Sequence, residues 1–274
     1  MSVSPPIVLS FAASDPTCGA GLQADILTIA SLGCHPASVA TALTVQDTSG
    51  VENLFAFQPE WILAQARSLL EDMPVAAFKL GVLGSARNAQ AIAEILASHP
   101  SVPVVLDPVL ASGRGDSLAD EETLRATRGA LLPRATVLTP NSIEARRLAG
   151  AGPGAELAEC ARGLLALGCR HVLITGSHES DRQVVNTLYG PQGSVQEERW
   201  DRLPGSYHGS GCTLASAIAA FLARGLGVAE AARAAQDYTW NALAAGFRAG
   251  RGQLLPNRFF DPSHEAARAL RHNS

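Results

Sequence analysis

The chain has 274 residues, of which 47% are hydrophobic and 17% charged, and its formal net charge is -4. This is enough for one large α/β domain or two small ones, and the acidic balance argues against a nucleic-acid-binding surface. Residues 1–6 lack the basic and apolar regions of a signal peptide, and no apolar run approaches the ~18 residues of a membrane-spanning helix.

The first half of the chain alternates short apolar runs with segments of helical periodicity. The predicted strands are Ile7–Ala12, Pro36–Val45, Ala76–Leu80 and Val102–Leu106. The predicted helices are a segment ending near Leu32, Pro59–Glu71 and Arg87–Ala97. A glycine-containing loop, Ser14–Gly21, precedes the first helix, and a polar loop expected to be mobile, Val109–Ser117, follows the fourth strand.

The second half continues the alternation and adds a hairpin. The predicted helices are Glu121–Leu132, Ser142–Leu148, Glu156–Leu167, Gly211–Arg224 and Val228–Phe247. The predicted strands are Thr136–Leu138, His171–Thr175 and the hairpin Gln183–Tyr189 with Ser194–Trp200, and the tail Arg251–Ser274 is read as loop plus a weak helix. Alternating strands and helices predict a mostly parallel sheet covered on both faces, and without repeats or a break in composition we expect one domain, 1–274.

Polar or glycine residues follow most of the predicted strands. They are Asp15, Gln46, Gly81, Asp107, Asn141 and Gly176. Singly, such residues are ordinary turn and cap residues. Ligands of parallel sheets bind at the carboxyl ends of the strands, so together they indicate one site.

The sequence Gly209-Ser210-Gly211-Cys212 precedes a long, small-residue apolar helix. The first N–H groups of a helix have no intrahelical partner and lie at its positive end, so this loop could cradle a phosphate. The same position is expected to lower the pKa of the Cys212 thiol. The alternative is a glycine-rich loop entering a buried helix, with Cys212 as a small core residue.

Five cysteines are scattered along the chain without a Cys-x-x-Cys pair. They are Cys18, Cys34, Cys160, Cys169 and Cys212. An odd, unpaired set is typical of a reducing cytoplasm and predicts no zinc site.

Seven motifs occur in a specific order along residues 7–260. They are Ser14-Asp-Pro-x-x-Gly-Ala-Gly-x-Gln-Ala-Asp25, Gln46-x-Thr-x-Gly-Val51, Lys79-x-Gly81, Leu106-Asp-Pro-Val109, Gly115-Asp-Ser-Leu118, Thr139-Pro-Asn-x-x-Glu144 and His208-Gly-x-Gly-Cys-Thr213. The ordered set resembles the hydroxymethylpyrimidine/phosphomethylpyrimidine kinases of thiamine biosynthesis, in the ribokinase superfamily. The resemblance implies a three-layer α/β/α sandwich with a mostly parallel sheet and no large lid.

The resemblance also implies the reaction. Such enzymes use ATP and Mg²⁺ to phosphorylate 4-amino-5-hydroxymethyl-2-methylpyrimidine and then its monophosphate. It implies a cytoplasmic protein whose partner is this small pyrimidine, with no nucleic acid or membrane partner, and by analogy a homodimer.

Five positions are implied to bind the substrate: Ala20, Asp25, Gln46, Val82 and Val109. The Gln46 amide can both donate and accept hydrogen bonds, which suits the edge of an aminopyrimidine. Asp25 would hold polar groups, Ala20 would offer backbone groups, and the two valines would form apolar walls.

The remaining site residues handle phosphate, nucleotide and metal. The resemblance implies an anion hole of Gly209, Ser210, Gly211 and Cys212, with Cys212 as the catalytic base. Asp107 and Glu144 would bind Mg²⁺, since carboxylates suit this ion. Asn141, Thr175 and Gly176 would bind the nucleotide.

The chain departs from the family pattern at three places. Cys18 replaces a usual glycine, Thr175-Gly-Ser-His178 replaces a usual Lys-Gly-Gly-His, and Gly252–Pro256 matches a Gly-Pro-x-x-His pattern only loosely. The alternatives are a pyridoxal kinase with the same cysteine, a non-catalytic vitamer-binding relative and a hydroxyethylthiazole kinase. Turnover of the three alcohols separates them.

Overall fold

The computed structural model describes residues 4–111, 115–116, 118–179 and 182–260. The strands are β1 (Ile7–Ser14), β2 (His35–Asp47), β3 (Gly50–Ala56), β4 (Val75–Leu80), β5 (Val104–Leu106), β6 (Val137–Leu138), β7 (Val172–Thr175), β8 (Gln183–Gly190) and β9 (Gly193–Asp201). They form one sheet in the order β3-β2-β1-β4-β5-β6-β7-β8-β9.

The centre of the sheet is parallel and its margins are antiparallel. Strands β2, β1, β4, β5, β6 and β7 run parallel to their neighbours in this series. Strand β3 pairs antiparallel with β2, and β8 and β9 form the predicted hairpin, which joins β7 antiparallel. The mostly parallel sheet expected from the sequence is confirmed.

Helices cover both faces of the sheet. They are α1 (Gly21–Ser31), α2 (Pro59–Asp72), α3 (Ala86–Ala97), α4 (Glu121–Ala126), α5 (Ser142–Ala149), α6 (Leu157–Ala166), α7 (Ser210–Ala223) and α8 (Val228–Ala244). Side chains alternate along β1, so Phe11 packs into one core with Ile92 of α3. Val8 packs into the opposite core with Ile29 of α1 and Ile218 of α7. The result is the predicted three-layer α/β/α arrangement of the ribokinase-like fold.

The sequence analysis missed β3. Asp47 accepts hydrogen bonds from the backbone N–H groups of Ser49 (2.7 Å) and Gly50 (3.2 Å), which makes a tight turn where only a chain break was expected. The following residues pair with β2 at the edge of the sheet and stay largely exposed, so they lack the apolar pattern by which strands are predicted.

Other differences are smaller. The helix predicted for 121–132 ends at Ala126, and a π-helical turn, Thr127–Leu131, and a 3₁₀ turn, Leu132–Arg134, follow it. Pro133 cannot donate the hydrogen bond that would continue an α-helix. Parts of the loop predicted at 109–117 and most of the tail predicted at 251–274 lie outside the described residues. No helix in the described ranges is both long and apolar enough to cross a membrane.

Candidate active site

A cavity of about 430 Å³ lies at the carboxyl ends of the parallel strands. Gln46 and Val82, which belong to β2 and to the loop after β4, contribute to its wall. Thr175 of β7 and Trp200 of β9 also line it, as does the first turn of α7, residues 209–212. The structure therefore brings the predicted substrate loops and the predicted phosphate loop to one cavity.

The start of α7 leaves its first N–H groups available to a ligand. Gly209, the residue before the helix, has φ +81°, and no side chain caps the helix end. A Cβ at Gly209 would overlap the carbonyl oxygen of Gly19, so only glycine allows this turn to lie against the first loop. The Thr213 hydroxyl donates to the Gly209 carbonyl over 2.8 Å and holds the turn closed.

Asp15 organises the loop that faces α7. Its carboxylate accepts hydrogen bonds from the N–H groups of Thr17 (2.8 Å) and Ala20 (2.7 Å), and it lies 2.8 Å from Nε2 of His208. Burial opposes ionisation, but the hydrogen bonds from His208, Ala20 and Thr17 lower the pKa of Asp15 below its ordinary value. Asp15 and His208 thus connect the first loop to the phosphate loop.

Arg258 is a second connection that no motif predicted. Its buried guanidinium donates to the carbonyls of Gly19 (2.6 Å) and Cys18 (3.3 Å) and to the Thr213 hydroxyl (3.1 Å). Cys18 itself is exposed and has φ +59°, which explains why glycine is usual at its position. The only sequence signal for Arg258 is an arginine within an otherwise mostly apolar segment, Leu254–Phe260.

The two predicted metal ligands, Asp107 and Glu144, are buried on the cavity wall. Glu144 accepts hydrogen bonds from the N–H groups of Asn141 and Leu110, each over 3.0 Å. Burial and the charge of Asp107 raise the pKa of Glu144 to about 7. Burial also raises the pKa of Asp107 to about 6, although the charge of Lys79 opposes this shift.

These carboxyls fit a divalent cation. Oδ2 of Asp107 is buried without a hydrogen-bond partner among the described residues, so it is free to bind a ligand. The same described ranges contain no cluster of three or more metal-binding side chains. Two carboxylates nevertheless suit Mg²⁺, which keeps several waters and takes its other ligands from substrate phosphates.

Cys212 lines the cavity, but the expected low thiol pKa is wrong. Burial raises the pKa of Cys212 to about 12, against the charge of Lys79 and a hydrogen bond from the Gly21 amide, which lower it. The charges of Asp107 and Asp25 act in the same direction as burial. Desolvation therefore outweighs the position at the helix start, and the thiol is protonated in the unliganded protein.

Asp25 does not lie where the substrate role requires it. Its side chain is fully buried, 2.8 Å from Nζ of Lys79, and accepts a hydrogen bond from the Ser216 hydroxyl over 2.7 Å. It is not part of the cavity wall. Because its oxygens are occupied by buried partners, the prediction that Asp25 holds the substrate is corrected to a role beneath the site.

The other predicted substrate residues lie on the cavity wall: Ala20, Gln46, Val82 and Val109. Nε2 of Gln46 donates to the Thr44 hydroxyl over 2.8 Å, which orients the amide. Val109 has φ +28°, a conformation that a β-branched residue rarely adopts. Such strain concentrates at functional sites and places the loop after Asp107 against the cavity.

Two of the three predicted nucleotide-binding residues line the cavity. Thr175 and Asn141 line the cavity, and the Asn141 side chain also caps α5 by accepting from the Glu144 N–H over 2.9 Å. Gly176 is not on the wall, and its N–H donates to the Asn186 side chain over 3.1 Å. A Cβ at Gly176 would overlap the Val185 carbonyl, so glycine allows close packing against β8, and the nucleotide contact of Gly176 stays a prediction.

The wall near β9 contains residues that the sequence analysis did not single out. Trp200 and Trp240 are stacked with their ring centroids 6.4 Å apart, and the Trp200 indole donates to the Gln236 side chain over 3.2 Å. Arg202 donates to the carbonyls of Ser177 (2.8 Å) and Glu179 (3.0 Å) and so fixes the loop that follows Thr175, the residue at the position of the usual lysine.

Residues 15–257 match the family described as phosphomethylpyrimidine kinase. The chain belongs to this family. The hydroxymethylpyrimidine/phosphomethylpyrimidine kinase of Streptomyces coelicolor is 43% identical over 91% of this chain and 93% of that protein. The protein of the same name from Escherichia coli is 36% identical over 86% of this chain and 90% of its own length. The resemblance stated from the motifs is confirmed, and the family makes the chain a kinase, a phosphotransferase.

Solved structures of two kinases have the same fold as this phosphomethylpyrimidine kinase family member. The phosphomethylpyrimidine kinase of Clostridium difficile superposes with a TM-score of 0.77 at 31% identity, covering 87% of this chain and 99% of that one. A pyridoxal kinase of Bacillus subtilis, solved as an ADP complex, gives a TM-score of 0.85 at 28% identity, covering 93% and 98%.

Proposed function

We propose that this kinase transfers phosphate from ATP to the hydroxymethyl group of 4-amino-5-hydroxymethyl-2-methylpyrimidine, and then phosphorylates the monophosphate to the pyrophosphate used in thiamine biosynthesis. The observation that supports this most directly is the common cavity, which both the Gln46 amide and the open helix start at Gly209–Cys212 line. A heteroaromatic alcohol bound at Gln46 can present its hydroxyl to a phosphoryl group held at α7.

The substrate is bound by complementary surfaces. The Gln46 side chain reads the ring nitrogen and amine edge, because an amide offers both a donor and an acceptor. Val82 and Val109 hold the faces of the ring, and the backbone of Ala20 contacts its polar groups. Buried polar groups left unpaired by a wrong ligand make this recognition selective.

Phosphoryl transfer depends mainly on position and on charge stabilisation. The N–H groups of Gly209, Ser210, Gly211 and Cys212 receive the transferring phosphoryl group at the positive end of α7. Cys212 faces the hydroxyl and takes its proton. Since the resting thiol is protonated, only its ionised fraction can accept this proton. Stabilisation of the transferring group by the helix N–H groups does not depend on that fraction.

The metal and nucleotide complete the site. Asp107 and Glu144 would hold Mg²⁺, which would neutralise phosphate charge. Asn141 and Thr175 contact the nucleotide, and Trp200 and Trp240 line the same cavity.

We also propose a cytoplasmic homodimer. Five free cysteines in the described residues agree with a reducing compartment. Leu43 and Phe55 are exposed opposite each other where β2 pairs with β3, Trp61 is exposed on α2, and a second copy would cover these apolar side chains. Light scattering should give twice the chain mass, which Phe55→Ser together with Trp61→Ser should reduce to the monomer.

The proposed reaction is tested by measuring kcat/KM with ATP for three alcohols: the hydroxymethylpyrimidine, pyridoxal and hydroxyethylthiazole. The expected order puts the pyrimidine first by at least about tenfold, the discrimination that an unpaired buried hydrogen-bonding group commonly causes. A higher value for pyridoxal would assign the chain to that alternative, and no turnover of any alcohol would identify a binding protein without catalysis.

A further inference from the structure

Lys79 is a buried cation that the proposed reaction does not yet use. It is the single lysine of the chain, beside 20 arginines among the 21 basic residues. Its side chain is fully buried on β4, with Nζ 2.8 and 3.0 Å from the two oxygens of Asp25. A chain that otherwise uses arginine retains lysine here, which indicates that the position requires a compact ammonium group.

The space around Nζ is consistent with this requirement. A Cβ at Gly81 would lie 2.8 Å from Nζ and 3.1 Å from the Cβ of Ala12. Glycine at 81 therefore leaves room for the ammonium group, and this explains the Lys79-x-Gly81 spacing. A planar guanidinium, which is wider and longer, would have to displace the backbone of the strand.

The ion pair is attached to the phosphate loop through α7. Asp25 accepts a hydrogen bond from Ser216 over 2.7 Å, and Ser216 lies one helical turn after Cys212 on the same face. The pair therefore lies beneath the first turn of α7. Lys79 pairs with Val105 of the neighbouring strand β5, two residues before Asp107, and α7 packs against both β4 and β5.

We propose that Lys79 is a positioning residue for phosphoryl transfer, whose buried ammonium adds fixed positive charge beneath the start of α7 and holds Asp107 and Cys212 in their reactive arrangement. Asp25 orients the ammonium and has no contact with substrate. Negative charge grows on the transferring group during the reaction, so a fixed cation lowers the barrier without changing ground-state binding of a neutral pyrimidine. The inference rests on the proposed transfer of phosphate at α7.

The test compares Lys79→Met, Asp25→Asn and the double variant. The double variant removes both charges while keeping similar shapes, and such exchanges of a buried ion pair are often neutral for stability. Arg87→Met with Glu60→Gln is the matched control, because it neutralises an exposed pair away from the cavity. Urea unfolding, kcat, KM for the pyrimidine, and the affinities for ADP and for ADP with aluminium fluoride are measured for each protein.

The expected result is a loss of kcat of roughly tenfold or more in both variants that lack Lys79, smaller than the loss of a direct oxyanion donor. Asp25→Asn retains the ammonium and should lose much less. KM and ADP affinity should stay within about threefold, while affinity for the aluminium fluoride complex falls with kcat. The control pair should match wild type in every measurement.

Three outcomes would overturn the proposal. One is near wild-type kcat in a stably folded double variant. Another is an equal loss of kcat in Lys79→Met and Asp25→Asn, which would show that the ion pair has only a structural role. This comparison can still be made if the double variant does not fold. The third is a parallel loss of ADP and aluminium fluoride binding. If wild-type protein itself fails to bind the aluminium fluoride complex more tightly than ADP, the proposed transfer at α7 fails instead.

Discussion

Two opposing effects act on the pKa of the Cys212 thiol. The helix start favours a thiolate, but burial is the larger effect and keeps the sulfur protonated in the unliganded protein. The residue type and its position were predictable from the sequence. The pKa was not, because it depends on desolvation by side chains that are distant in the chain.

Cys212→Ala should lower kcat for the alcohol by roughly 10²-fold, the low end of the range for a proton acceptor, because the raised pKa keeps the resting thiol protonated. Pyrimidine affinity, measured by calorimetry, should stay within a few-fold. Phosphorylation of the monophosphate should suffer less, because its acceptor oxygen is already anionic. Cys34→Ala is the control, since it removes a buried thiol outside the cavity. Equal losses on the two substrates would show that Cys212 is not a proton acceptor.

Gln46→Ala should raise KM for the hydroxymethylpyrimidine and reduce its advantage over pyridoxal, because the hydrogen bonds that distinguish the two rings are lost. We expect a change in relative kcat/KM of about tenfold. Gln65→Ala changes an exposed glutamine on α2 and should leave the ratio unaltered. Unchanged ratios in Gln46→Ala would assign recognition of the ring to another residue.

At the scale of elements, the site depends on how closely the first loop approaches α7. Gly209→Ala should reduce kcat severely, because its Cβ would push the helix start away from the Gly19 carbonyl. Gly225→Ala is a matched control with φ +91° just beyond the other end of α7 and no neighbouring atom within 4 Å of its Cβ. Both variants should lose about 1–3 kcal/mol of stability from backbone strain. If Gly225→Ala lost as much activity, strain alone would explain the effect.

Asp15→Asn tests the connection between the first loop and His208. The folded-state pKa of Asp15 is lowered, so its carboxylate stabilises the protein above the ordinary value of 3.8 and this stability is lost as pH falls below that value. At pH 7 the free energy of unfolding of the variant should be about 2 kcal/mol lower than that of the wild type. Urea unfolding at a series of pH values should show that the difference in free energy of unfolding between wild type and Asp15→Asn becomes smaller below pH 3.8. A difference that does not change with pH would contradict a stabilising role of the Asp15 charge.

The sequence predicted the central elements better than the margins. Parallel strands such as β1 are buried runs of apolar residues, which periodicity detects, whereas β3 is exposed and depends on its partner strand. In the site, motifs identified Gln46, Asp107 and Glu144 on the cavity wall. They misplaced Asp25 and missed Arg258, because both act through tertiary contacts that no local pattern records.

At the scale of the whole molecule, we expect one cavity to serve both phosphorylations. The cavity wall in the described residues includes two helix starts without a side-chain cap, those of α1 and α7, but only α7 begins with the Gly-Ser-Gly-Cys turn, and it includes one Asp107–Glu144 pair. We expect the monophosphate to occupy the position of the alcohol, with its phosphate directed towards α7. The two substrates should exclude each other.

The most direct measurement of this claim is a ³¹P NMR time course with the alcohol, excess ATP and Mg²⁺. The monophosphate signal should rise and then fall as the pyrophosphate appears, and added monophosphate should inhibit the first step competitively against the alcohol. Wild-type protein that leaves separately supplied monophosphate unconverted, or inhibition that is not competitive, would contradict the assignment of both steps to this cavity.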